Sequence, residues 1–156
     1  MFAAPALAAN SGTKSMVGGG YWSLPKYVQK DTEGNEVKLD WETKGWFASL
    51  LMLSADGMLS VDYATEDPNP IAIAYDYLYP LSGTSPGGYP KATSIMSDSY
   101  IGVGYSYLFC DQLGDDNGFN FLVGMGLGET WFGTARYDIF GNSKNMVTIA
   151  LYYQME

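Results

Sequence analysis

Hydrophobic and polar residues alternate with a period of two along most of the chain, and this period predicts β-strands rather than helices. The clearest example is the segment 145–156. One face of this segment carries Val147, Ile149, Leu151, Tyr153 and Met155, and the other carries Thr148, Ala150, Tyr152 and Gln154. Such a segment is typical of a strand with one strongly apolar face.

The same alternation predicts five further strands: Met58–Ala64, Pro70–Tyr79, Ser99–Phe109, Asn117–Gly128 and Thr130–Phe140. Ser15–Leu24 and Trp41–Leu53 are also expected to be strands. Their two faces cannot be told apart, because the first contains a run of three glycines and the second is apolar on both sides. Turn sequences such as Ala55-Asp56-Gly57 separate the strands, and Pro25–Asp40 is expected to be a long external loop. The prediction is an all-β, eight-stranded antiparallel domain.

The composition of the second face favours one kind of barrel over another. Eight alternating strands can build a soluble barrel with an apolar interior, or a transmembrane barrel whose apolar residues meet lipid. Over the last six strands the second face is mostly Gly, Ala, Ser, Thr and Asn, which suits the narrow interior of an eight-stranded barrel and not a hydrated surface. The bulky residues are therefore predicted to face lipid: Ile101, Val103, Phe121, Val123, Val147, Ile149 and Leu151.

Aromatic residues are abundant and lie toward the strand ends. The chain has 13 Tyr, 7 Phe and 4 Trp. A girdle at the two membrane interfaces is predicted from Tyr75, Tyr77, Tyr105, Tyr107, Trp131 and Tyr153. Strand lengths near ten residues also match the ~9 to 11 that a tilted transmembrane strand needs.

Charge and composition exclude several classes of protein. Eight basic and 17 acidic residues give a net charge of −9, so no nucleic-acid partner is expected. A hydrophobic content of 47% is too high for a disordered chain. No apolar run reaches the ~20 residues of a membrane-spanning helix. Because the chain has no histidine, the commonest general base and metal ligand are missing, and neither catalysis nor a cofactor is expected.

The first residues have the composition of a secretion signal. Residues 1–9 are rich in alanine and contain the small-x-small sequence Ala6-Leu7-Ala8. The expected organisation is a signal remnant at 1–9 and a single β-barrel domain at 10–156.

Three segments carry a resemblance to a known family. They are Asp98–Phe109, the glycine-alternating Phe119–Gly128 and the last strand with Tyr153. The chain resembles the small eight-stranded bacterial outer-membrane β-barrels of the OmpA, OmpX and OmpW type. This resemblance implies a closed up-and-down transmembrane barrel in a Gram-negative-type outer membrane, monomeric, with a structural or surface-interaction role and no wide pore.

Four charged residues fall on the face assigned to the interior: Asp62, Asp76, Arg136 and Asp138. A buried arginine requires carboxylate partners, so these residues are predicted to form an ionic network that fills the lumen. A solute or proton pathway is the alternative use. The acidic loop clusters Glu66–Asn69 and Asp111 with Asp115–Asn117 could hold divalent cations against anionic lipopolysaccharide.

Two questions stay open at this level. If both chain ends are periplasmic, Pro80–Ser97 is too long for a periplasmic turn, so either the first predicted strand is wrong or this connection is an exception. The alternative to a membrane protein is a soluble periplasmic lipocalin-like barrel, in which residues such as Val123 and Ile149 would line a pocket for a lipid or another apolar ligand.

Overall fold

Ten β-strands make up the regular structure of the described chain. The computed structural model describes residues 13–24, 27–30, 36–39, 43–54, 57–65, 69–81, 99–110, 114–141 and 145–155. The strands are β1 (Lys14–Leu24), β2 (Tyr27–Lys30), β3 (Glu36–Leu39), β4 (Thr43–Leu53), β5 (Met58–Ala64), β6 (Ile71–Pro80), β7 (Ser99–Phe109), β8 (Asp116–Gly126), β9 (Trp131–Phe140) and β10 (Asn145–Gln154).

Eight of these strands form a closed antiparallel barrel. Each barrel strand pairs with the next one along the chain, and β1 pairs with both β4 and β10, so the sheet has no free edge. The predicted all-β class and the closed eight-stranded antiparallel barrel are confirmed. The remaining strands, β2 and β3, pair with each other as a separate two-stranded hairpin within the connection 25–42.

The two ends of the barrel carry different connections. The terminal end, where β1 begins and β10 ends, also carries the connections 54–57, 81–98 and 127–130. The distal end carries 25–42, 65–70, 110–115 and 141–144. The first predicted strand was therefore correct, and the long connection between β6 and β7 leaves the barrel at the end where β1 begins and β10 ends.

The strand registers fix the geometry of closure. Successive paired residues lead round the barrel from Met146 through Asp138, Asn120, Gly104, Asp76, Met58 and Leu53 to Lys14. On the other side of β10, Ser23 of β1 pairs with Val147, so position 24 of β1 lies opposite Met146. One turn round the barrel along paired residues therefore leads from position 24 to Lys14 of the same strand, which is an offset of ten residues.

Strand number and offset together set the tilt and the height of the wall. With a rise of ~3.3 Å per residue and ~4.8 Å between strands, eight strands offset by ten residues tilt by about 41°. Strands of ten or eleven residues at this tilt make a wall about 25 Å high. The backbone radius is then roughly 8 Å, so side chains must fill the interior.

The interior is built in three layers along the barrel axis. Apolar side chains close the terminal end: Met16, Leu51, Leu53, Met58, Tyr100, Phe132 and Tyr152. A second apolar group closes the distal end: Trp22, Phe47, Ala64, Ala72, Leu108, Phe140 and Met146. We call these the terminal plug and the distal plug. Small and polar residues lie between them: Ser49, Ser60, Asp62, Asp76, Ser106, Asn120, Thr134, Arg136, Asp138 and Thr148.

Three strands add to or differ from the sequence expectations. The loop assignment for Pro25–Asp40 was wrong in part, because β2 and β3 pair within it as a four-residue ladder. Strand β4, whose faces could not be read, places Phe47 and Leu51 inside and Trp46 and Leu50 outside. It is apolar on both sides because its large inward residues, Phe47, Leu51 and Leu53, belong to the plugs.

Glycines bring β1 close to its partner β10. A Cβ atom on Gly20 would overlap the carbonyl oxygen of Ile149, and one on Gly18 would overlap that of Leu151. The glycine run that weakened the strand assignment therefore allows close approach at the seam between the first and last barrel strands.

Candidate functional site

The central polar layer is organised around Arg136 of β9. Its guanidinium lies 2.6 Å from Asp62 Oδ2 on β5, through Nη2, and donates through Nη1 to Ser60 Oγ at 2.7 Å. Its Nε is 3.2 Å from both carboxylate oxygens of Asp138. Since β9 and β5 are four strands apart in either direction round the barrel, Arg136 crosses the lumen and joins opposite walls.

Serine hydroxyls complete the bonding of two of the carboxylates. Ser49 Oγ donates to Asp62 Oδ1, and Ser106 Oγ donates to Asp138 Oδ1. Ser106 in turn accepts a hydrogen bond from Asn120 Nδ2 at 2.6 Å. Asp62 and Asp138 are therefore both paired with the guanidinium and hydrogen-bonded to a neutral donor, as buried charges require.

The fourth predicted member of the network is differently placed. Asp76 of β6 is fully buried, but neither of its carboxylate oxygens has a hydrogen-bond partner among the described residues. The structure thus brings Asp62, Arg136 and Asp138 into one bonded group and leaves Asp76 in the same layer without a bond to it.

Sequence reasoning missed the neutral members of the layer. Ser49 lies on β4, whose faces could not be assigned, while Ser60, Ser106 and Asn120 were placed on the interior face without a role. The sequence signal for these residues was a small hydroxyl or amide side chain at an inward position, next to an inward position with a charged side chain. The sequence could not show which residues contact each other across the lumen, because those contacts depend on the ten-residue offset with which the barrel closes.

The plugs make the lumen discontinuous. The cavity bordered by Trp22, Phe47, Asp62, Ala72 and Met146 has a volume of about 10 Å³, at the lower limit for one water molecule. Pockets for small organic ligands are usually ~300 to 1,000 Å³. This part of the interior therefore has no room for an apolar ligand.

The outer wall is apolar over its whole height. All seven residues predicted to face lipid point outward, with Ile149 59% and Val123 55% exposed. These are the side chains that a lipocalin-like pocket would have required inside. Among the described residues of the barrel strands, Lys44 near the start of β4 is the single exposed charged side chain. A groove of about 470 Å³ lies on this wall, lined in part by Val103, Phe121 and Val147.

No family, curated protein or solved structure matches this chain. The described residues contain no helix long and apolar enough to cross a bilayer.

Aromatic side chains form two belts on the outer wall. Toward the distal end, Tyr21 packs edge-on against Trp46 with ring centroids 5.7 Å apart, and Tyr105 packs against Phe119 at 5.5 Å. Tyr107 lies beside Tyr105, with centroids 5.2 Å apart. The distal belt comprises Tyr21, Trp46, Tyr63, Tyr105, Tyr107, Phe109, Phe119 and Tyr137.

The terminal belt is smaller. Trp131 and Tyr153 pack edge-on with centroids 5.0 Å apart. Tyr77 and Tyr79 lie at the same end of the wall, on the last part of β6. Tyr75, predicted to join a girdle, packs edge-on against Tyr77 with ring centroids 5.3 Å apart but lies nearer the middle of its strand. Aliphatic residues of the wall lie between the two belts.

The acidic loop clusters are only partly described. Glu66, Asp67 and Asp111 lie outside the described residues. In the second cluster, Asp115 Oδ1 accepts a hydrogen bond from the Cys110 amide at 3.3 Å, and Asp116 Oδ1 accepts one from the Asn117 amide at 2.8 Å. Within the described part of the chain, no three acidic, histidine or cysteine side chains gather in a way that could hold a metal ion. The segment 1–9, assigned to a signal, also lies outside the described residues.

Proposed function

We propose that the chain is a monomeric barrel that spans an outer membrane of the Gram-negative type and has a structural or surface-interaction role without catalysis. The observation that carries this proposal is the inverted distribution of polarity, with charge and hydroxyls in the lumen and hydrocarbon on the wall. In water the wall would be one continuous apolar surface, far larger than the few hundred Å² that soluble monomers usually expose. Burial of this wall in acyl chains would remove the free-energy cost of exposing it to water.

Two dimensions also support a spanning orientation. The wall is about 25 Å high, which equals the apolar band of outer-membrane barrels. The two aromatic belts lie where the interfaces of such a band would be, since Tyr and Trp prefer the boundary between hydrocarbon and headgroups. Closed pairing satisfies the backbone amides of the wall, which a bilayer demands.

The mechanism that follows is passive. The plugs and the ionic layer close the lumen, so the barrel acts as a rigid support and not as a channel. The proposed partners are outer-membrane lipid and lipopolysaccharide at the distal connections, with divalent cations at the acidic loops as the bridge. Acyl chains would fill the groove beside Phe121.

Tryptophan quenching in lipid vesicles tests the proposal. The protein is refolded into vesicles whose acyl chains carry bromine, in two variants that keep a single tryptophan, either Trp131 on the wall or Trp22 in the distal plug; Phe replaces the others. We expect strong quenching of Trp131 and little of Trp22, which is only 2% exposed and faces inward. A folded sample should also migrate differently in detergent gels before and after boiling.

A different result would contradict the proposal. If the folded protein stays soluble without detergent and Trp131 is not quenched in the presence of vesicles, the barrel does not insert. Equal quenching of Trp22 and Trp131 would mean that the inside and outside of the wall are assigned incorrectly.

A further inference from the structure

The buried interior has more negative than positive charge. Among the described buried residues there are three carboxylates, Asp62, Asp76 and Asp138, and one cation, Arg136. The hydrogen bonds of Arg136 go to Asp62, Asp138 and Ser60. The positive charge of the layer is thus committed to two carboxylates, and the third has no bonded counterion.

Asp76 lies in a site shaped by a glycine. Gly104 of β7 is directly opposite Asp76 on one side and Asn120 of β8 on the other. A Cβ atom on Gly104 would come within 2.7 Å of Asp76 Oδ1, so the carboxylate occupies the space that this missing side chain leaves. The side chains of Asp76 and Asn120 therefore approach each other above the Gly104 backbone.

Both carboxylate oxygens of Asp76 are buried without a hydrogen-bond partner at bonding distance and angle among the described residues. The Asn120 amide nitrogen faces Asp76 and donates its hydrogen bond to Ser106 Oγ. Buried oxygens are rarely left in this state, because each has lost its bonds to water. A small positive charge beside the carboxylate would supply what both oxygens lack.

We propose that the lumen binds one additional monovalent cation at the carboxylate of Asp76. The cation is either a proton, carried as the carboxylic acid, or a sodium ion. The remaining charged groups that act on this position are Arg136 and Asp138 of β9 and Asp62 of β5. The site depends on the interior alone, so it does not require the barrel to span a membrane.

Unfolding equilibria in detergent micelles test the proposal, because a ligand bound only by the folded state stabilises it by linkage. The unfolding midpoint in urea is measured against sodium concentration, with choline chloride holding the ionic strength constant, and separately against pH from 5 to 8. The chain has no histidine, so no side chain of ordinary pKa titrates in this range. Wild type is compared with Asp76→Asn, which keeps the shape and removes the charge, and with Asp138→Asn as the matched control.

A sodium site predicts that the unfolding constant of wild type falls up to tenfold for each tenfold rise in sodium. A proton site predicts no sodium effect and an unfolding constant that rises up to tenfold per pH unit, because the unfolded carboxylate releases the proton that the folded one holds. In either case Asp76→Asn abolishes the dependence and Asp138→Asn retains it.

The proposal is overturned if wild type responds to neither cation, or if Asp76→Asn responds as wild type does. Should Asp76→Asn fail to fold, Asp76→Ser takes its place, because serine also removes the carboxylate and has a smaller side chain. Its unfolding constant should likewise lose the dependence on sodium or on pH. A folded Asp76→Ser barrel that responds as wild type does would overturn the proposal.

Discussion

Arg136 connects opposite walls of the barrel through a single side chain. Its bonds to Asp62 and Ser60 on β5 cross the lumen, while Asp138 lies two residues away on its own strand. The arginine is 3% exposed, and each carboxylate it contacts is buried. A charge in this position is stable only while its partners remain, because an unpaired buried ion has lost its hydration without compensation.

Removal of the arginine alone should therefore be costly. We expect Arg136→Met to lower the free energy of unfolding by about 3 to 5 kcal/mol, since it leaves Asp62 and Asp138 as uncompensated buried charges. Methionine retains much of the aliphatic bulk of arginine, so the loss in the free energy of unfolding reports the removal of the charge more than a loss of packing. The measurement is the urea unfolding midpoint in micelles.

The matched control removes the charges together. Arg136→Met combined with Asp62→Asn and Asp138→Asn should recover most of the lost stability, because the two carboxylates that depend on the guanidinium are then uncharged. If the triple variant is as unstable as Arg136→Met, the loss comes from shape and not from charge.

Sequence alone predicted part of this layer. An inward arginine among inward aspartates could be expected to pair, since no other stable arrangement of a buried guanidinium exists. Which aspartates it reaches could not be known, because the pairing of Arg136 on β9 with Asp62 on β5 crosses the lumen and depends on the closure offset and not on neighbouring strand pairing. Asp76 shares the face and the charge of the others, yet it is not bonded to Arg136.

At the scale of strands, alternation predicted the elements well where one face carries bulky apolar side chains and the other carries mostly small side chains. It failed to assign faces in β4, where both faces are apolar, and it missed the short hairpin of β2 and β3. In β1 the glycines removed the side chains on which the pattern depends. These glycines have a structural role at the β1–β10 seam, where the backbones approach closely at Gly18 and Gly20.

The seam should be sensitive to a single added carbon. Gly20→Ala would force a methyl group against the Ile149 carbonyl, so we expect a loss of about 1 to 3 kcal/mol in the free energy of unfolding. Gly133→Ala on β9 is the matched control, because its nearest neighbour would be Leu127 Cδ1, at an ordinary 3.5 Å. That variant should change stability by less than about 0.5 kcal/mol. Similar losses in both would show that the close approach at Gly20 is not a packing constraint.

At the scale of the whole molecule, the order of strands fixes which connections share an end. The connection 81–98 lies at the end where β1 begins and β10 ends, and the turn 141–144 lies at the other end. This arrangement could not be settled from the sequence, since it required knowing that β1 is a full member of the barrel. The long Pro80–Ser97 connection is an exception to the short turns expected beside the termini, and not an error in strand assignment.

Cysteine labelling in vesicles or intact cells tests this arrangement. Cys110 is the one cysteine of the chain, and Cys110→Ser provides the background. Ser85→Cys in the connection 81–98 and Asn142→Cys in the turn 141–144 should react with a membrane-impermeant maleimide from opposite sides of the bilayer. If both sites react from one side of sealed vesicles while the protein stays bound to the membrane, the strand order is contradicted. If both react and the protein is not bound to the membrane, insertion is contradicted.

Closure of the barrel by β1 and β10 also has a consequence in time. These are the first and the last barrel strands in chain order, so the ribosome produces β1 long before β10 exists. Every earlier hairpin can form as it is made, but the final ladder must wait until β10 has been synthesised. Until then the nascent protein has two unpaired strand edges, and any factor that binds it before closure must cover both.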